Sequence, residues 1–119
     1  MADRYLTWYL DTLTGTTEQQ GPAHYMDKGY SAGHCRIHSR IAPTSGDLKV
    51  DIRQDGTSIM TANYAALNKG GNLEEHAEDY SGEPELDVGS VVTLHVIETN
   101  GAKGITVQLE LDSLDEAGE

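Results

Sequence analysis

Several segments of the chain alternate apolar and polar residues with a period of two. In Tyr5–Leu10, Leu6, Trp8 and Leu10 alternate with Tyr5, Thr7 and Tyr9. Leu48, Val50 and Ile52 alternate with Lys49, Asp51 and Arg53; Val92, Leu94 and Val96 alternate with Thr93 and His95. Ile105, Val107, Leu109 and Leu111 alternate with Thr106, Gln108 and Glu110. A period of two sends one row of side chains into a core and the other toward solvent. Such rows belong to half-buried strands of antiparallel sheets, so the pattern predicts an all-β fold. Cys35, Ile37, Ser39 and Ile41 repeat the same spacing. Shared parity places Ile37, Leu48, Val50, Ile52, Val92, Leu94, Val96, Val107 and Leu109 in one core.

The breaks between these segments are turns. Asp55-Gly56 separates two runs and supplies the positive φ angles of a tight hairpin. Pro43-Thr-Ser-Gly46 leads into the strand before it, and Asn100-Gly101-Ala-Lys-Gly104 links two of the strongest strands. Thirteen glycines and three prolines suit many short strands and turns. The best helix candidate, Thr61–Leu67, is short enough to be no more than a turn. No repeat or linker divides the 119 residues, which fit a single hydrophobic core. Residues 1–111 are read as one domain and 112–119 as an acidic tail. The tail, with Leu114 as its one large apolar side chain, reads as a solvated end. Its alternative reading is an arm that orders on a neighbouring subunit.

Charge narrows the classes of partner. Twenty acidic residues against eight basic ones give −12, which argues against binding nucleic acid through phosphates. It argues equally against docking on an anionic membrane, and it favours a neutral or basic protein partner. No apolar run reaches the ~20 residues of a membrane span. The first ten residues lack the apolar core and cleavage site of a signal peptide, so a soluble chain is expected. A single cysteine, Cys35, excludes an internal disulfide framework.

The constellations that could carry chemistry are weak. His34-Cys35-Arg36-Ile37-His38 holds metal-ligand types, but its period is that of a strand. Histidines four apart on a strand lie ~13 Å from one another, too far for one ion. Cys35 then points into the core with Ile37, where a thiol is inert, rather than pairing with His24, His76 or His95 as a nucleophile. Glu74, Glu75, Glu78, Asp79, Glu83, Glu85 and Asp87 form an acidic belt without the loop spacing of a calcium site. It reads as a solvated face. With no phosphate-binding glycine loop either, no enzyme, metal or cofactor is expected. Tyrosine suits positions where one end of the ring is buried and the other wet. Tyr5 and Tyr9, on the row opposite Leu6, Trp8 and Leu10, form the candidate interface patch, with Leu114 as a further contact.

The stretch Ile41-Ala-Pro-Thr-Ser-Gly-Asp-Leu-Lys-Val-Asp-Ile-Arg-Gln-Asp-Gly-Thr-Ser-Ile59 resembles a pattern recurrent in structural proteins of tailed bacteriophages. That pattern is Ala-Pro-Thr-Gly, an alternating strand, then Asn/Asp-Gly-Thr-Ser-Ile. Glu85-Leu-Asp-Val-Gly-Ser-Val-Val-Thr-Leu-His-Val96 and Gly104-Ile-Thr-Val-Gln-Leu-Glu-Leu111 are similar to the blocks that follow in the same modules. The likeness covers roughly residues 30–111. It departs in Asn63–Ser81, which is more acidic than the pattern, and a standalone module without a fibre shaft or baseplate domain is expected.

The resemblance implies an antiparallel, jelly-roll-like β-sandwich of the kind found in head decoration proteins, minor virion proteins, tail tips and fibre heads. It implies a capsid decoration (cement) protein on the outside of a phage head, made in the host cytoplasm, with the major capsid protein as partner. Self-association as trimers around local three-fold positions is implied with it. The alternative is a tail-associated module that recognises a receptor or glycan, and an unrelated carbohydrate-binding or secreted sandwich is a third possibility. The scarcity of tryptophan speaks against a glycan platform.

Overall fold

The computed structural model describes residues 4–10, 19–60, 64–76 and 85–113. The strands are β1 (Arg4–Leu10), β2 (Gln19–Tyr25), β3 (Tyr30–Ile41), β4 (Leu48–Gln54) and β5 (Thr57–Ser58). They continue as β6 (Ala65–Leu67), β7 (Leu73–His76), β8 (Glu85–Leu86), β9 (Val91–Glu98) and β10 (Lys103–Ser113). Sheet A has the order β1-β10-β3-β7, with β8 also pairing β3. Sheet B has the order β2-β9-β4-β5, with β6 also pairing β4. Every pairing is antiparallel.

β5 and β6 are successive pieces beside β4, and β7 and β8 are successive pieces beside β3. Counting each broken pair as one strand leaves eight, in the orders 1-8-3-6 and 2-7-4-5. That is the double Greek-key arrangement of a jelly roll. The fold is therefore the antiparallel β-sandwich that the alternation and the resemblance predict.

The inward rows of the two sheets meet as one core. Ile37, Leu48, Val50, Ile52, Val92, Leu94, Val96, Val107 and Leu109 are all fully buried in a single cluster. Leu6, Trp8 and Cys35 join them, and Met26, Met60, Leu67 and Leu86 close the ends. The indole N–H of Trp8, inside this layer, donates to the Pro22 carbonyl at 2.8 Å. A buried N–H without such a partner would cost about 1–3 kcal/mol.

Turn chemistry fixes the registers. Asp55 and Gly56 take φ of 51° and 88°, the positive pair of a type I′ turn, and set Gln54 opposite Thr57. At Gly104, with φ of 64°, an added Cβ would lie 2.8 Å from the Arg40 Cβ, so the position suits glycine twice over.

Two boundaries differ from the sequence reading. The helix candidate Thr61–Leu67 is replaced over Ala65–Leu67 by β6, with Leu67 opposite Leu48 and Ala65 opposite Val50; residues 61–63 lie outside the described residues. Burial of Ala65 and Leu67 against the core outweighs the helix propensity of two alanines. β10 runs two residues beyond Leu111, with Asp112 opposite Ser31 and Ser113 opposite Tyr30.

Candidate attachment face

Strand β1 pairs with β10 in unbroken register from Arg4↔Leu111 to Leu10↔Ile105. With Leu6, Trp8 and Leu10 inward, Tyr5, Thr7 and Tyr9 stand on the outer face of sheet A. Tyr9 lies opposite Thr106, Thr106 opposite His38, and His38 opposite Leu73. These four residues make a row across the sheet. Tyr5 is 50% exposed, Tyr9 57% and Leu73 56%. Neighbouring strands are ~4.8 Å apart, so the row from Tyr9 to Leu73 spans roughly 14 Å.

The outward positions of β1 and β10 include two charged side chains, the exposed Asp112 toward one end and Glu110. Arg36, from β3, meets its Oε2 at 2.5 Å through Nη1. The Arg36–Glu110 pair at the centre of this face is thus neutral in itself, in a chain of formal charge −12.

The outer face of sheet B has the opposite character. Its row on β4 is Lys49, Asp51 and Arg53, and Asp51 is fully buried although it points away from the core. Its carboxylate accepts from Arg53 Nε at 2.7 Å and from the Ser58 hydroxyl at 2.5 Å, while the Ser58 oxygen accepts the Met60 N–H. Thr93 and His95 bond to each other at 2.9 Å, and Lys49 sits 4.8 Å from the centre of the Tyr64 ring. Polar groups here are bonded to one another rather than offered to a partner.

One end of the sandwich carries a second apolar feature. Tyr25, 69% exposed, ends β2, and Val88, 68% exposed, lies in the turn between β8 and β9. The backbone bonds Met26 N–H to Ser90 O and Gly89 N–H to Met26 O bring the two segments together. Arg4 and Ser113 lie at the same end, since Arg4 pairs with Leu111 and Ser113 with Tyr30. There Asp27 Oδ1 accepts from Arg4 Nη1 at 2.8 Å and from the Tyr30 hydroxyl at 2.7 Å. The Tyr30 bond foremost holds the Asp27 carboxyl below the usual aspartate range, and the Arg4 charge adds to it.

Of the predicted patch, Tyr5 and Tyr9 share the face as expected, whereas Leu114 lies outside the described residues. Leu73, Tyr25 and Val88 were missed by the sequence reading. Leu73 sits in the acidic stretch that alternation does not resolve, and Val88 belongs to a turn, where parity has no meaning.

His34 and His38 are exposed on β3 and Cys35 between them is buried, as strand geometry requires. The acidic belt divides between β7 and β8, with Glu74 accepting from Asn68 Nδ2 at 3.0 Å; Glu78, Asp79 and Glu83 lie outside the described residues. Among the described residues no group of three His, Cys, Asp or Glu is placed to hold a metal ion. No protein-family model and no curated protein matches the chain.

Proposed function

We propose that the protein is a structural component of a virus particle: a decoration protein that binds the outside of a tailed-phage head. Its partners in this reading are the major capsid protein and its own copies, arranged as trimers, and it performs no catalysis. The observation that carries the attachment is the outer face of sheet A. Exposed Tyr5, Tyr9 and Leu73 flank a balanced Arg36–Glu110 pair there, while the chain as a whole carries −12. Apolar side chains grouped on one face favour burial against a partner, and a patch whose central charges are paired is where like-charged molecules approach most easily. The particle itself is supported by the sequence likeness over residues 30–111 and by the jelly-roll strand order that this likeness implies.

The test is addition of the purified protein to undecorated phage heads, followed by sedimentation and counting of bound copies. Saturation at many copies per head, reduced in the Tyr5→Ala/Tyr9→Ala variant, is the expected result. Binding at a handful of copies, or binding only to tails, overturns the decoration reading in favour of a tail module.

A further inference from the structure

β1 is the edge of sheet A and β2 the edge of sheet B, and the two edges meet in a seam. Side chains bonded to main chain stitch it together. Trp8 donates to the Pro22 carbonyl at 2.8 Å, and Arg4 Nη1 reaches the Tyr25 carbonyl at 3.3 Å. From the other side, the imidazole of His24 on β2 bonds the backbone of Thr7 on β1. This last bond favours the charged ring, as an accepting carbonyl does, so His24 donates and Thr7 O accepts.

The second ring nitrogen decides how this contact behaves. His24 Nε2 is enclosed and has no hydrogen-bond partner among the described residues. Nδ1 is therefore the donor to Thr7, and the neutral tautomer leaves Nε2 as a lone pair. The ring also stands edge-on to Trp8, with centroids 5.1 Å apart and planes at 78°. A proton added at Nε2 would create a buried donor with no acceptor, on a ring that has just become charged.

We propose that His24 is an acid-sensitive latch on the β1–β2 seam: the neutral ring ties the two sheet edges together, and the protonated ring lets them part. The surroundings oppose the proton. Burial of the ring is the main influence that lowers its pKa from the ordinary 6.5; the Thr7 bond works in the other direction, and the Arg4 guanidinium adds to the lowering. The other titratable side chains on β1 are Tyr5 and Tyr9, on the outward row. Those on β2 and its turn are Tyr25, Asp27 and Lys28, with Asp27 engaged by Arg4 and Tyr30. β9 contributes His95 and Glu98 further along, but the residue opposite His24 is Val92.

The direction follows from linkage. A histidine whose folded pKa lies below its unfolded value takes up its proton more readily in the open state. Its contribution is complete above 6.5 and is lost as pH falls through the lowered folded value. Because Tyr5 and Tyr9 ride on β1, an opened seam also frees the strand that carries them. The latch does not depend on what the outer face of sheet A binds.

The experiment is hydrogen exchange on the whole chain from about pH 7.5 to about pH 5, corrected for intrinsic rates. The expected result is a fall in protection of β1 and β2 amides, approaching about tenfold per pH unit below the ordinary histidine pKa, with β4 amides unchanged. Emission of Trp8, the single tryptophan, should change over the same range. His24→Phe, which fills the site and cannot titrate, should flatten both curves. Should that variant not fold, the ring resonances of His24 in the wild-type chain serve instead. They are expected to titrate below 6.5, together with the Thr7 and Trp8 amides. Unchanged protection of β1 at low pH, an identical loss in His24→Phe, or a ring midpoint at or above the ordinary value would each overturn the latch.

Discussion

Asp51 shows how a residue on the outward row of a strand can be as buried as the core beneath it. Its two oxygens serve Arg53 and Ser58, so Asp51→Ala leaves both donors without their acceptor. The expected cost is about 1–3 kcal/mol in denaturant unfolding, with the slope unchanged. Leu94→Ala, from the opposite row of the neighbouring strand, should cost about 2–5 kcal/mol, because a fully buried side chain is replaced by a cavity. Equal stability of Leu94→Ala and wild type would mean that the inward row has been misassigned. Alternation told the two rows apart; it did not tell that Asp51 is covered, because that depends on Ser58 arriving from another strand. At Asp27 the pH dependence has a definite sign. Its lowered pKa means that the native contact is complete above the ordinary aspartate value and is lost as pH falls through the folded one. Tyr30→Phe removes the foremost cause, and carboxyl resonances should then show Asp27 titrating at higher pH than in the wild type.

At the scale of elements, what could be read in advance depended on where each strand's pairing information sits. β1, β4, β9 and β10 pair along continuous alternating runs, and those runs are visible in the sequence. β2 contains Gly21 and Pro22 and shifts register between Gln20 and His24, so it has no local signature. β7 and β8 are short and acidic and exist because β3 is long enough to pair both. β6, with its alanines, is a strand only because β4 lies beside it. The same gap explains the partly legible outer face of sheet A: Tyr5 and Tyr9 come from a readable strand, Leu73 from an unreadable one. Turns respond to substitution in a graded way. An alanine at Gly56 meets nothing within 4 Å, so Gly56→Ala should cost only the backbone strain of positive φ, about 1–2 kcal/mol. Gly104→Ala adds a collision with Arg40 to the same strain and should be the more damaging of the two. The reverse order in thermal unfolding would show that the strand bend at Gly104 relaxes freely.

For the whole molecule, the governing quantities are a charge of −12 and one face whose central charges are paired. Copies that associate through sheet A must overcome mutual repulsion outside the contact, so added salt should strengthen self-association. Sedimentation at low and high ionic strength checks this; association that weakens with salt would point to a contact made by opposite charges. Tyr5→Ala/Tyr9→Ala should abolish the effect while changing unfolding free energy by little, since substitutions of exposed side chains usually stay within about 0.5 kcal/mol. Strand order also has a consequence for synthesis. β10, the last strand, lies between β1 and β3, so Arg4 finds its partner only when Leu111 exists. A nascent chain emerging from the ribosome can therefore lay down most of sheet B while sheet A still lacks its middle. Until then β1 and β3 present unpaired edges to whatever else is in the cell, and closure waits for β10 to become available. Ribosome-stalled chains should accordingly stay protease-sensitive in β1 until residues through Ser113 have cleared the exit tunnel.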